Sequence, residues 1–284
     1  MSGKLVVAAW LCVMSVSAGA ADSSEPATDK PSGGQRPLWE LGAGVAALHF
    51  PDYRGSDESG EYLLPLPYVV YRGKFLRADR EGARAVLVDV ERFEVELSVS
   101  ASVPTRSRSN AARSGMPDLP PSFEVGPKLN VALLRSPDRR LKLELRMPVR
   151  SVFTIESSPR SVGTTLEPSL NLDLLREGWN IGLQAGPLFG DRRRHEHVYG
   201  VEPAFATPQR PAYRARGGYA GWQALASTSR RFGGTWVGAF VRYDSLRDAV
   251  FADSPLVRRD HALTMGVGLA WVFASSSVLV ATDD

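Results

Sequence analysis

Cysteine is nearly absent: the 284 residues include a single one, Cys12, close to the N-terminus. Beyond that point no disulfide can form, so stability must come from strand pairing and burial. Long apolar runs are missing too. A membrane-crossing helix needs about 20 consecutive apolar residues, and after Ala20 no stretch supplies them. Charge of one sign is not in excess. The 34 Lys and Arg are interspersed with 31 Asp and Glu, which leaves no basic stripe and argues against a nucleic-acid partner. The mean hydropathy of −0.15 resembles that of a soluble protein. Half-apolar strands of a membrane barrel give the same average, however.

What is present begins with Lys4, the apolar stretch Leu5 to Val16 and the small residues Ala18-Gly19-Ala20. This is the pattern of a cleaved signal peptide over residues 1–20. Leu11, before Cys12, is too large for a lipoprotein cleavage site. Residues 21–37 are rich in Ser, Pro and Gly and are expected to form a flexible periplasmic tail.

From Leu38 onward the pattern has period two. Phe93, Val95, Leu97, Val99 and Ala101 alternate with Glu94, Glu96, Ser98 and Ser100. Leu141, Leu143, Leu145, Met147 and Val149 alternate with Lys142, Glu144, Arg146 and Arg150. Leu263, Met265, Val267, Leu269, Trp271 and Phe273 alternate with Ala262, Thr264, Gly266, Gly268 and Ala270. Alternation sends the two sets to opposite faces of a strand. Runs of about ten residues suit a tilted strand crossing a membrane. The connections alternate as well: those at 51–61, 104–121, 152–161, 190–213 and 246–260 are long, and most of those between them are tight. The link at Glu81 departs from that rule, being short where a long one is expected. The prediction is an all-β protein: a transmembrane antiparallel up-and-down barrel of about twelve strands over residues 38–273, with a C-terminal tail over 274–284. Trp39, Phe50, Tyr71, Phe93, Phe123, Trp179, Phe189, Trp236, Tyr243, Trp271 and Phe273 lie near predicted strand ends, where an aromatic belt would sit. A soluble barrel with an apolar interior is the competing fold. Strand length, loop asymmetry and export favour the membrane form.

Several segments resemble a known family. Tyr53-Arg54-Gly55-Ser56-Asp57-Glu58 is similar to a Tyr-x-Gly-Ser turn after a first strand, and Leu64-Pro65-Leu66-Pro67-Tyr68 to the Pro-rich second strand. Tyr199-Gly200-Val201, Tyr213, Gly217-Gly218 and Asp253-Ser254-Pro255-Leu256-Val257 follow in matching order, ahead of a last strand ending in Phe273. Together they resemble the MipA/OmpV family of outer-membrane proteins. The resemblance implies a barrel in the outer membrane of a Gram-negative bacterium, in contact with lipid and lipopolysaccharide. It also implies a scaffold joining a murein hydrolase to a murein synthase, held at the periplasmic turns or the tail. It implies no catalytic residue and no cofactor. Read locally, Gly55 permits a turn, and Ser56 and Asp57 can bond the nearby backbone.

The remaining candidates are few. His195-Glu196-His197 would put two imidazoles on one face if extended, but Arg192, Arg193 and Arg194 beside them disfavour a metal cation. Those arginines, in a predicted exposed loop, suit lipopolysaccharide phosphates instead. Ser254 and His261 fall near one rim, the raw material of an outer-membrane hydrolase but without a fixed base beside a nucleophile. Glu144, Arg146 and Arg150 are expected to face Glu167, Asn171 and Asp173 across strands in the lumen. A diffusion channel is the main rival to the scaffold, and an enzyme comes third.

Overall fold

Alternating apolar and polar residues can satisfy lipid and a polar interior together only if the sheet closes on itself, because lipid tolerates no bare edge. The computed structural model, which describes residues 35–281 apart from 74, 80, 81 and 91, shows that closure. Its strands are β1 (Gln35–Pro37), β2 (Trp39–Pro51), β3 (Ser59–Arg72), β4 (Leu76–Asp79), β5 (Gly82–Val90), β6 (Phe93–Ser102), β7 (Ser122–Arg135) and β8 (Leu141–Thr154). They continue with β9 (Ser161–Leu166), β10 (Ser169–Arg176), β11 (Trp179–Gly190), β12 (Gly218–Phe232), β13 (Thr235–Ser245), β14 (His261–Ser275) and β15 (Leu279–Ala281). Apart from β9 and β10, sequence neighbours from β2 to β14 pair antiparallel, and β14 pairs β2 to close the ring. β9 and β10 both pair β8 and β11, so they share one position and the barrel has twelve. The expected signal peptide, residues 1–20, and residues 21–34 lie outside the described residues.

The apolar set faces out. Along β14, Val267, Leu269, Trp271 and Phe273 are exposed, while Ala262, Thr264 and Ala270 are buried. Of the predicted lumen neighbours, Asn171 stands opposite Glu144, whereas Arg146 stands opposite Ser169 and Asp173 opposite Lys142. Tight turns join strands at one rim. The connection at Glu177-Gly178 has positive φ at both residues, 52° and 78°, the twist a two-residue hairpin needs. Long loops occupy the other rim, which in such barrels faces outward from the cell.

Five features depart from the sequence reading. Residues 35–37 are not tail: β1 pairs β15 at the turn rim. Residues 274–281 are not tail either, since β14 runs to Ser275 before β15 follows. Pairing supplies the backbone partners that each segment lacks alone. Period two runs on through Leu166, Leu170, Leu172 and Leu174 as for one strand over 162–175, but the structure splits it at Pro168 into β9 and β10, as a missing N–H would require. A helix, α1 (Arg192–Tyr199), stands in the loop after β11, begun by the Asp191 carboxylate accepting from the Arg194 N–H at 2.8 Å. Finally, Trp236 joins no belt. It lies inside with Tyr68, Val70, Ala270 and Val272 in an apolar cluster, because its strand parity is that of the lumen.

Candidate functional site

The loops of the long rim fold into a cap with a core of its own: Tyr53, Tyr199, Val201, Leu246, Phe251 and Leu256 are buried together. The family-like segments, scattered through the sequence, meet there. The Tyr53 hydroxyl donates to the Leu256 carbonyl at 2.8 Å. The Tyr199 hydroxyl donates to the Arg54 carbonyl at 2.9 Å, and its ring stacks on Phe251 at 3.8 Å. The Ser254 hydroxyl donates to the Tyr199 carbonyl at 2.7 Å and accepts from the Leu256 N–H at 3.2 Å, spanning Pro255. Gly55 has φ +93° and its carbonyl receives the N–H groups of Arg258 and Arg259. Ser56 accepts from Asn110 at 3.0 Å, and Asp57 lies 3.9 Å from Arg258. The Tyr213 hydroxyl donates to Asp253. Gly200 ends α1 where a Cβ would stand 2.5 Å from the Glu196 carbonyl oxygen.

Two arginines that the sequence reading missed tie the cap together. Arg113, almost wholly buried, donates to the carbonyls of Val198 at 2.9 Å and Pro117 at 3.2 Å. Arg210 donates to the carbonyls of Ala112 and Ser114. Neither has a local motif, since both act across sequence distance.

Electrostatics follow burial. Burial raises the Tyr53 and Tyr199 phenol pKa values, with nearby arginines opposing. Burial also depresses His195 and takes His197 down to about 4, assisted by Arg194, Arg113 and Arg160 and opposed by Glu156. On a helix, residues two apart point in different directions, so the strand geometry considered for His195 and His197 does not arise. Instead His195 Nδ1 faces the Arg216 carbonyl at 2.6 Å, and Glu196 accepts from the Ala215 N–H at 2.7 Å. Arg192 and Arg193 are exposed, whereas Arg194 turns inward, 3.6 Å from Glu124. The Ser254 proton goes to a backbone carbonyl, and His261 pairs with Asp260 at 2.8 Å. The two are not arranged as nucleophile and base.

Beneath the cap lies a cavity of about 660 Å³. Ion pairs cross the lumen around and below it. Glu96 meets Arg84 at 3.1 Å and also Lys128. Arg146 meets Glu144 at 2.9 Å and Asp173 at 3.6 Å. Arg150 meets Glu167 at 3.3 Å. Asp244 takes Arg54 at 2.9 Å and Arg242 at 3.1 Å. Toward the turn rim, buried Glu40 holds Arg72 at 2.8 Å and Arg231 at 2.5 Å, beside the apolar cluster around Trp236.

A closed antiparallel wall, apolar outside and charged within, with tight turns at one rim and long loops at the other, defines an outer-membrane β-barrel of a Gram-negative bacterium. The chain belongs to the MipA family, described as MltA-interacting protein, whose model matches residues 43–273. No curated protein sequence matches the chain. Among solved structures it is similar to a bacterial polysaccharide outer membrane secretin, at 11% identity and TM-score 0.42 over 83% of this chain and 99% of that one. It is also similar to outer membrane phospholipase A from Escherichia coli, at 11% identity and TM-score 0.35 over 95% and 98%. A porin matches at 10% identity and TM-score 0.34 over 83% and 100%.

Proposed function

We propose that the barrel is a membrane-fixed scaffold that docks murein-processing enzymes at its periplasmic rim. The observation that carries this reading is the fastening of the other end. Buried hydrogen bonds lock the long loops into a cap, and ion pairs span the lumen, which supports anchorage over passage. The turn rim faces murein and presents Arg92, Arg135, Arg139, Arg140 and Arg176 exposed, against Asp89, Asp138 and Glu177. Such a rim suits an acidic face on a partner and would speed its encounter. The family description, MltA-interacting, supports a murein hydrolase as one partner. A murein synthase would be the second, bound at the same turns or at residues 21–34. Exposed Arg192 and Arg193, on the opposite rim, would meet lipopolysaccharide phosphates.

Co-purification from outer-membrane extracts tests the scaffold. The intact barrel retains both murein enzymes, and Arg139→Glu with Arg140→Glu releases them while the barrel stays heat-modifiable on a gel. Retention unaffected by those changes and by deletion of residues 21–34 would remove the proposed docking face. Stepwise currents in a planar bilayer would favour the diffusion channel, for which the polar cavity is the supporting feature.

A further inference from the structure

The ring of strands is closed, but among the described residues its pairing between β3 and β6 stops short on the long-loop half. β3 has 14 residues and β4 has 4, and the ladder between them has only two rungs, Tyr71 with Ala78 and Arg72 with Arg77. From Ser59 to Val69, β3 therefore has no strand partner among the described residues on the flank away from β2. Two residues of sequence join β4 to β5, too few to lay another strand there. On the far side, the ladder from β5 to β6 stops at Arg84 with Ser98, while β6 continues to Ser102. The loop after β6 roofs the notch. The Thr105 hydroxyl donates to the Asp52 carbonyl at 2.5 Å, and the Ala111 N–H to Glu58 at 2.7 Å.

A bare strand edge in lipid strands its backbone donors. Successive residues of an antiparallel strand turn their N–H and C=O groups to opposite flanks. The Arg72 N–H donates toward β2, to the Leu38 carbonyl at 2.8 Å. With an unbroken register along β2 and β3, the even-numbered residues of β3 face β2 and the odd-numbered ones face the notch. Pro65 and Pro67 are both odd-numbered, and proline has no N–H to strand. Edge prolines also stop another strand from adding. At these two positions the edge strands no donor, which leaves fewer N–H groups, among them those of Glu61 and Leu63, on that flank.

The cavity reaches this notch. The cavity touches every residue from Ser98 to Val103, the part of β6 and its exit that lies at and beyond the last rung of the ladder to β5. Tyr62 and Leu64 border it from β3. Tyr62 turns inward onto Phe50, ring centroids 4.5 Å apart, and still keeps 40% of its surface exposed. Inside, Leu48, Phe50, Leu64 and Phe240 form an apolar wall, and Arg84, Lys128, Arg146, Arg150 and Arg194 a cationic one. Eight Arg and Lys line the cavity against four Asp and Glu. Glu144, Asp173 and Asp244 back Arg146, Arg54 and Arg242 without lining it themselves.

We propose that the notch is a lateral doorway from the outer half of the membrane, and that the cavity takes a single-chain amphiphile with a carboxylate head. The chain lies along the apolar wall and the head against the arginines, whose forks match a carboxylate. A cavity of 660 Å³ falls within the roughly 300–1,000 Å³ of ligand sites. This goes beyond the scaffold reading and does not depend on it.

Photolabelling tests the doorway on the folded protein in lipid nanodiscs. The probes are a diazirine-bearing palmitic acid and its methyl ester, with labelled residues mapped by mass spectrometry. The acid is expected to mark Leu64, Ser98 and Ser100 as well as outward Leu63 and Val69, and the ester only the outward set. Ser100→Trp, which fills the mouth, is expected to lower inward labelling by the acid about tenfold, near 1.4 kcal/mol in affinity, with outward labelling intact. Acid labels confined to outward residues, or equal inward labelling by the ester, would overturn the proposal. The comparison of acid with ester stands without the variant.

Discussion

Tyr53 and Leu256 lie 203 positions apart in sequence and are joined by one buried hydrogen bond of 2.8 Å. Through it the first long loop is fastened to the last, with Tyr199 and Ser254 extending the link to α1. The family-like segments are therefore a structural lock rather than a set of reactive groups.

Tyr53→Phe removes this bond and leaves a buried carbonyl unpaired, a loss of about 1–3 kcal/mol. Gly55→Ala acts on the same lock, because φ is +93° there and a Cβ would stand 3.0 Å from Leu246. Each variant is expected to speed hydrogen exchange at the amides of Leu246, Arg258 and Arg259 while exchange in the barrel strands is unchanged. Unchanged exchange in the cap would show that the bond fastens nothing.

Acid is expected to loosen the cap through His197. Its folded pKa, about 4, lies below the ordinary histidine value of 6.5, so between those values the unfolded form binds more protons. Stability then rises with pH across that window and is lost as pH falls from 6.5 toward 4. Asp52, raised by burial, works the other way, since its protonation relieves a buried charge. Cap exchange, corrected for intrinsic pH dependence, should increase on acidification in the native chain and respond less in His197→Gln.

Asp244 is fully buried and shared by Arg54 and Arg242. Asp244→Asn leaves two guanidinium groups facing each other without their counter-charge, a cost of about 3–5 kcal/mol. The urea midpoint of the heat-modifiable form should drop accordingly. A midpoint equal to the native one would mean that the pair contributes nothing net.

The lipid-facing side can be probed at Val267, 59% exposed. Val267→Arg is expected to cost about 2–4 kcal/mol if the residue lies near the membrane midplane. Thr264→Ser, on the lumen side of the same strand, should cost far less. Equal yields of folded protein from the two variants would argue that Val267 meets water.

The chain order of residues carried the barrel by itself. Leu263, Met265 and Val267 alternate with Ala262, Thr264 and Gly266 because lipid and lumen make opposite demands on each successive residue, and that demand is local. Strand number, loop asymmetry and the pairing of Glu144 and Arg146 with Asn171 and Asp173 followed from the same period. Tertiary structure alone decided the rest. The cap joins Tyr53 to Leu256 and Arg113 to Val198 through contacts with no sequence period. Residues 192–199 become helix because Asp191 caps them against packed neighbours, not through a long apolar pattern. Pro65 and Pro67 read in sequence only as part of a Pro-rich second strand. Only the register of β3 against β2 reveals that they lie on a flank of β3 where, among the described residues, an N–H would meet no strand partner.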